Sequence, residues 1–78
     1  MKLDVTLLSP QEVLFEGKAE RVTVPGEAGV FEVQPFHKRI ISRLVSGELS
    51  VDEQVFAIKR GAIKVSQNKV VILIEEEA

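Results

Sequence analysis

An all-β fold is predicted for this 78-residue sequence. The expected form is a sandwich or a barrel of short strands, with no substantial helix. Three observations carry that reading. Apolar and polar residues alternate at period two in segment after segment. Turn signals recur roughly every 8–12 residues. No segment shows a convincing amphipathic helical stripe.

Taken in order, Leu3, Val5 and Leu7 alternate with Lys2, Asp4 and Thr6, as in a half-buried strand. Ser9-Pro10 ends the run, because proline has no N–H for the ladder and biases Ser9 away from the helical region. Val13-Leu14-Phe15 reads as a short second strand closed by Gly17, and Ala19 to Val24 as a third. Pro25-Gly26 signals a type II turn, with proline presetting the first central position and glycine accepting positive φ at the next. Phe31 and Val33 then alternate with Val30 and Glu32 until Pro35 halts the strand.

Ile40 to Val45 admits two readings. Ile40, Ile41, Leu44 and Val45 have helical spacing, whereas β-branching favours a strand. Gly47 arrives too early for a stable helix, and strand is preferred. Leu49 with Val51, Phe56 with Ile58 and Ile63 with Val65 alternate in turn. Asp52-Glu53, Arg60-Gly61 and Gln67-Asn68 mark the turns after them, with Asn68 tolerating the left-handed region. Val70 to Ile74 is apolar on both faces, as a central or covered strand would be. Glu75-Glu76-Glu77 stops the pattern.

Length and composition bound the function. Seventy-eight residues make one domain, 1–78, and a chain this short buries only about 60% of its unfolded surface. At 45% hydrophobic and 28% charged, it is ordinary globular material. Zero cysteines exclude a disulfide framework and any thiolate metal site or nucleophile. A net charge of −2 offers no electrostatic footprint for nucleic acid, which calls for a basic face. Met1-Lys2-Leu3-Asp4 has neither signal-peptide nor transit character. The apolar run Val70 to Ile74 is far short of the roughly 20 residues that span a bilayer. A cytoplasmic or cytoplasm-like setting is expected.

Candidate chemistry is sparse. His37 is the only histidine, the natural acid–base group near neutral pH. No positioned partner follows from spacing, and one histidine falls short of the three or four ligands a metal needs. A structural or interface role is favoured, and no catalytic residue, metal or cofactor is expected. Gly26 and Gly29 lack the Lys-Ser/Thr ending and following helix of a phosphate loop. Lys38, Arg39 and Arg43 form a small basic patch, either a solvated edge that discourages strand pairing or a docking patch for an acidic partner. The Glu75-Glu76-Glu77 run reads as a gatekeeper behind an apolar strand, with an acidic interaction tail as the other reading.

The stretch Val22-Thr-Val-Pro25-Gly26-Glu-Ala-Gly29-Val-Phe31-Glu-Val33-Gln-Pro35-Phe-His37 resembles the epsilon subunit of F-type ATP synthase, in its N-terminal β-sandwich domain. That family shows a strand, Val-Pro-Gly, two variable residues, a glycine, an aromatic or leucine, and then Leu-Pro-Gly-His. The flanks agree: Leu3-Asp4-Val5 to Ser9-Pro10, Val13-Leu14-Phe15-Glu16-Gly17, and Leu44-Val45-Ser46-Gly47-Glu48-Leu49. Phe56-Ala57-Ile58 through Gly61, Ile63-Lys64-Val65 and Asn68 to Leu73 resemble the closing hairpin. The resemblance covers the whole chain. Gln34 departs from a usual aliphatic residue, Phe36 from a glycine, Lys38-Arg39 from a small residue and a proline, and Lys59-Arg60 from a small residue and a glycine.

The resemblance implies an all-β, two-sheet antiparallel β-sandwich of about ten short strands, in a non-catalytic rotor subunit that links the gamma subunit to the membrane ring of c subunits and couples rotation to ATP synthesis. It implies a place in a multi-subunit complex, peripheral on the cytoplasmic face of the bacterial inner membrane. By motif position, Glu27, Ala28, Gly29, Val30 and His37 are expected to face the ring, with Lys38 and Arg39 joining by adjacency. Gly29 is expected to leave little room for a side chain. The family's two-helix arm is not present in these 78 residues, so neither nucleotide binding nor inhibition of ATP hydrolysis is expected. The competing reading is a generic β-sandwich adaptor or ligand-binding module.

Overall fold

The computed structural model describes residues 2–36 and 38–77. Eight strands account for its regular structure: β1 (Leu3–Leu8), β2 (Val13–Ala19), β3 (Val22–Gly26), β4 (Gly29–Val33), β5 (Ile40–Leu44), β6 (Gly47–Val51), β7 (Gln54–Ser66) and β8 (Lys69–Glu76). No helix occurs among the described residues.

Hydrogen bonding runs β2-β1-β8-β7-β5-β3-β4, and β6 pairs with both β3 and β7. This continuous sheet folds over on itself into a sandwich. One layer holds β2, β1, β8, the second half of β7 and β5. The other holds β4, β3, β6 and the first half of β7. Every pairing among the described residues is antiparallel except β1 with β8.

The crossing between layers explains why there are fewer strands than expected. Arg60-Gly61 does not turn the chain, because β7 runs unbroken for 13 residues. Its first half pairs with β6, as in Gly47 opposite Ile58, and its second half with β5, as in Leu44 opposite Gly61. The register is the same on both sides, so β5 and β6 follow β7 around one shared corner. At that corner the β7–β8 register slips between Ile58 and Arg60. Val45 N–H donates to Pro25 O at 2.8 Å, tying β3 to the bend.

The Pro25-Gly26 turn is also displaced. Both residues lie within β3, and the hairpin turns at Glu27-Ala28, with Gly26 opposite Gly29. A Cβ on Gly26 would lie 2.7 Å from the Phe31 ring, so this glycine answers a close approach and not a positive φ. Gly17 likewise sits inside β2 rather than after it.

Alternation sets the core. Leu3, Val5 and Leu7 face Val70, Ile72 and Ile74 from the same layer, with Ile63 and Val65 beside them. Val22, Val24, Val33, Leu49, Val51 and Ile58 close the core from the other layer. No buried side-chain polar atom lacks a hydrogen-bond partner among the described residues.

Candidate docking surfaces

The two ends of β4 separate the sequence-predicted site residues. Glu27 and Ala28 form the β3–β4 turn, and Gly29 and Val30 open β4. All four are exposed, Val30 at 71%. Lys38 and Arg39, also exposed, lie in the loop after Val33, at the far end of the strand. Five extended residues put roughly 15 Å between these groups. His37 lies outside the described residues. The structure therefore brings Glu27 to Val30 together and leaves Lys38 and Arg39 apart from them.

Gly29 also behaves differently from the expectation. A Cβ built there meets nothing within 4 Å. Room is available, and what restricts the position is its φ of 127°, which L side chains rarely adopt.

The stretch Gln34 to Phe36 is anchored from across the sandwich. Phe36 N–H donates to Asn68 Oδ1 at 3.0 Å. Gln34 is exposed, and its Nε2 donates to the Glu32 carboxylate. A polar residue at that position thus costs the core nothing. In the facing β7–β8 turn the left-handed residue is Gln67, with φ 57°, in place of the expected Asn68.

A further surface emerges from register. On the outer face of the β1–β8 layer, Leu8, Leu73 and Ala62 lie side by side on β1, β8 and β7, with Val13 beyond Leu8 on β2. In the next row Thr6, Val71, Lys64 and Ile41 align across β1, β8, β7 and β5. Val13 is 53% exposed, Leu73 52%, Val71 45% and Ile41 77%. Leu8, Val13, Ala62, Val71 and Leu73 make one apolar patch, since side chains on adjacent strands stand about 5 Å apart, and Lys64 separates Ile41 from it. A shallow groove of about 760 Å³ continues it over the corner, past Arg43, Val45, Lys59 and Leu73.

Charges frame this patch. Arg43 and Lys64 border it on β5 and β7, beside Ala62 and Val71. Lys18 pairs with Asp4 at 2.6 Å, and Arg60 with Glu75 at 2.8 Å. Such exposed pairs add at most about 1 kcal/mol each to stability, so they border the surface more than they hold the fold. The signal in the sequence was the run Val70 to Ile74, apolar on both faces. Its inner half is core, and its outer half remains open.

Among the described residues no group of three or more His, Cys, Asp or Glu could hold a metal ion. No helix there is long and apolar enough to cross a membrane. The arrangement is one of surfaces: an apolar sheet face, an exposed hairpin turn at one end and an exposed loop at the other.

Known proteins share this architecture. The epsilon chain of ATP synthase from Sulfurimonas denitrificans is 32% identical over 79 residues, covering 95% of this chain and 61% of the relative. The epsilon chain from Chlorobium limicola is 32% identical over 80 residues, covering 96% of this chain and 89% of that one. The chain thus spans less than two thirds of the first relative's length. A chain in the Tetrahymena thermophila mitochondrial ATP synthase central stalk and c-ring structure superposes with a TM-score of 0.84 at 18% identity. That match covers 97% of this chain and 65% of the other. A chain of the Euglena gracilis mitochondrial ATP synthase gives 0.88 at 21%, over 96% and 51%. At these identities the two structures speak for the fold alone. A family model carries the assignment: residues 2–77 match that of the ATP synthase Delta/Epsilon chain, beta-sandwich domain, and the chain belongs to that family.

Proposed function

We propose that this chain is the non-catalytic foot of the rotating stalk in an F-type ATP synthase, joining the gamma subunit to the ring of c subunits. The apolar outer face of the β1–β8 layer takes gamma, and the Glu27-to-Val30 turn meets the ring. The complex then holds the chain peripherally at the cytoplasmic face of the membrane. One observation carries the reading: a family member with a continuous apolar patch of Leu8, Ala62, Val71 and Leu73 on the outside of its sheet. Solvated sheet faces are ordinarily polar, and a contiguous exposed apolar patch marks an interaction site.

The mechanism is mechanical. A coupling element must not deform under load, and a two-residue turn closing a hairpin of two five-residue strands has little slack. Pro25 adds a fixed φ next to that turn. The chain contributes no acid, base or nucleophile to ATP chemistry. It passes rotation between the partners it touches.

Co-purification of the tagged chain with gamma tests the proposal. Leu73→Asp with Val71→Asp should leave the fold intact, because both side chains point outward, and should abolish capture of gamma. Capture of gamma at wild-type level by this folded double variant would sink the assignment of the face.

A further inference from the structure

Four phenylalanines occur in the chain, and three of them, Phe15, Phe31 and Phe56, pack partly buried against the core. Phe36 does not. It is 79% exposed, and its φ is 68°. That is the left-handed region, where the Cβ of any residue but glycine crowds its own backbone. The Asn68 side chain holds the Phe36 N–H at 3.0 Å, fixing the loop to the β7–β8 turn. Folding gives no reason for this side chain. Glycine would take the same φ without strain and would expose no apolar ring to water. Both the conformation and the exposure oppose phenylalanine here.

Held, exposed aromatics of this kind are the usual anchors of protein interfaces, and backbone strain gathers at binding elements. The surroundings indicate the chemistry of the other side. Lys38 and Arg39 lie two and three residues after Phe36 and are exposed. Lys2, Arg21 and Pro35 share one surface depression at the same end of the sandwich, with Glu20 as its acidic member. The loop lies at the end of β4 away from Glu27 and Ala28, and Asn68 ties Phe36 to the start of β8, whose outer face the stalk reading gives to gamma.

We propose that Phe36 is an aromatic anchor that inserts into an apolar, carboxylate-rimmed pocket on the gamma subunit, with Lys38 and Arg39 meeting the rim. This rests on the stalk reading given above. It divides the labour within the chain: the sheet face supplies area, and the loop supplies a single deep contact with charge selectivity. Lys38 and Arg39 thereby leave the ring-facing set.

Binding to gamma, measured by titration calorimetry together with thermal melts, tests the anchor. Phe36→Gly should weaken gamma binding about tenfold or more, while its melting midpoint holds or rises by up to about 5 °C as the strain is relieved. Lys38→Gln with Arg39→Gln should weaken binding at low salt and flatten the salt dependence, since exposed charge pairs are screened. Wild-type affinity retained by Phe36→Gly would overturn the anchor while leaving the stalk reading standing. An unchanged salt dependence in the double variant would overturn the carboxylate rim. Failure of the wild-type chain to bind gamma at all would overturn the stalk reading and the anchor with it.

Discussion

Asp52 sits in the β6–β7 turn at φ 52°, and its carboxylate Oδ1 accepts from Glu20 N–H at 2.9 Å and Arg21 N–H at 3.1 Å. Its own N–H donates to Arg21 O at 3.1 Å. One exposed side chain thus sews the β2–β3 connection to a turn more than 30 residues away. Asp52→Ala should lower stability by about 1–2 kcal/mol, through two orphaned donors and a strained φ. Asp52→Asn, which keeps an acceptor, should lose less. Urea titration reads both, and an unshifted Asp52→Ala midpoint would show the staple to be idle. The Asp52-Glu53 and Gln67-Asn68 turns were legible as turns, because polar residues interrupt apolar alternation there. Their internal geometry was not. Asn68 gives its side chain to Phe36, a long-range demand with no local trace, and Gln67 takes the left-handed conformation in its place. The same holds at Gly29, where residue type indicated a special position and only the backbone showed φ, not crowding, as the reason.

Single strands show where periodicity informs and where it stops. Alternation located β1, β4 and β6 to within a few residues, since burying one face of a pleated strand leaves a period of two; β5 was placed by β-branching against a helical spacing, and β8 by an apolar run. Alternation failed at β7, where Arg60-Gly61 resembles a turn. Gly61 is there for contact: a Cβ would lie 2.5 Å from Leu73 O and 2.9 Å from the Ile74 side chain. Gly61→Ala should therefore push two hydrogen-bonded strands apart at the corner and cost about 2 kcal/mol or more. Gly26→Ala meets chiefly a side chain, the half-buried Phe31 ring at 2.7 Å, with the nearest backbone atom, Gly29 O, at 3.1 Å, and should cost less. Denaturant midpoints falling in the reverse order would contradict this account of the corner. For β8 the pattern gave both faces as apolar without saying what covers the outer one. What covers that face has no representation in a single chain.

Fold class was legible for the molecule as a whole, and its wiring was not. The parallel pairing of β1 with β8 joins residues at the two ends of the chain, Asp4 opposite Lys69 and Leu8 opposite Leu73. No turn or local pattern announces such a contact, because the whole remaining chain forms its connection. It places β8 between β1 and β7, with Val70, Ile72 and Ile74 fully inward. Amide hydrogen exchange should accordingly be slowest in β8 and the second half of β7, and fastest in the edge strands β2 and β4. Equal protection across all strands would argue against a stable centre at β8. The shared bend of β5, β6 and β7 also bears on how the sandwich takes a load. Two stacked sheets held only by side chains resist sliding through apolar contact, which is weak in shear. Here the backbone itself passes from one layer into the other. A sideways push on the outer face of β8 passes through ladder hydrogen bonds into β7, whose unbroken backbone carries it to the layer of the Glu27 turn, and the domain responds as a creased plate, not as two loose cards.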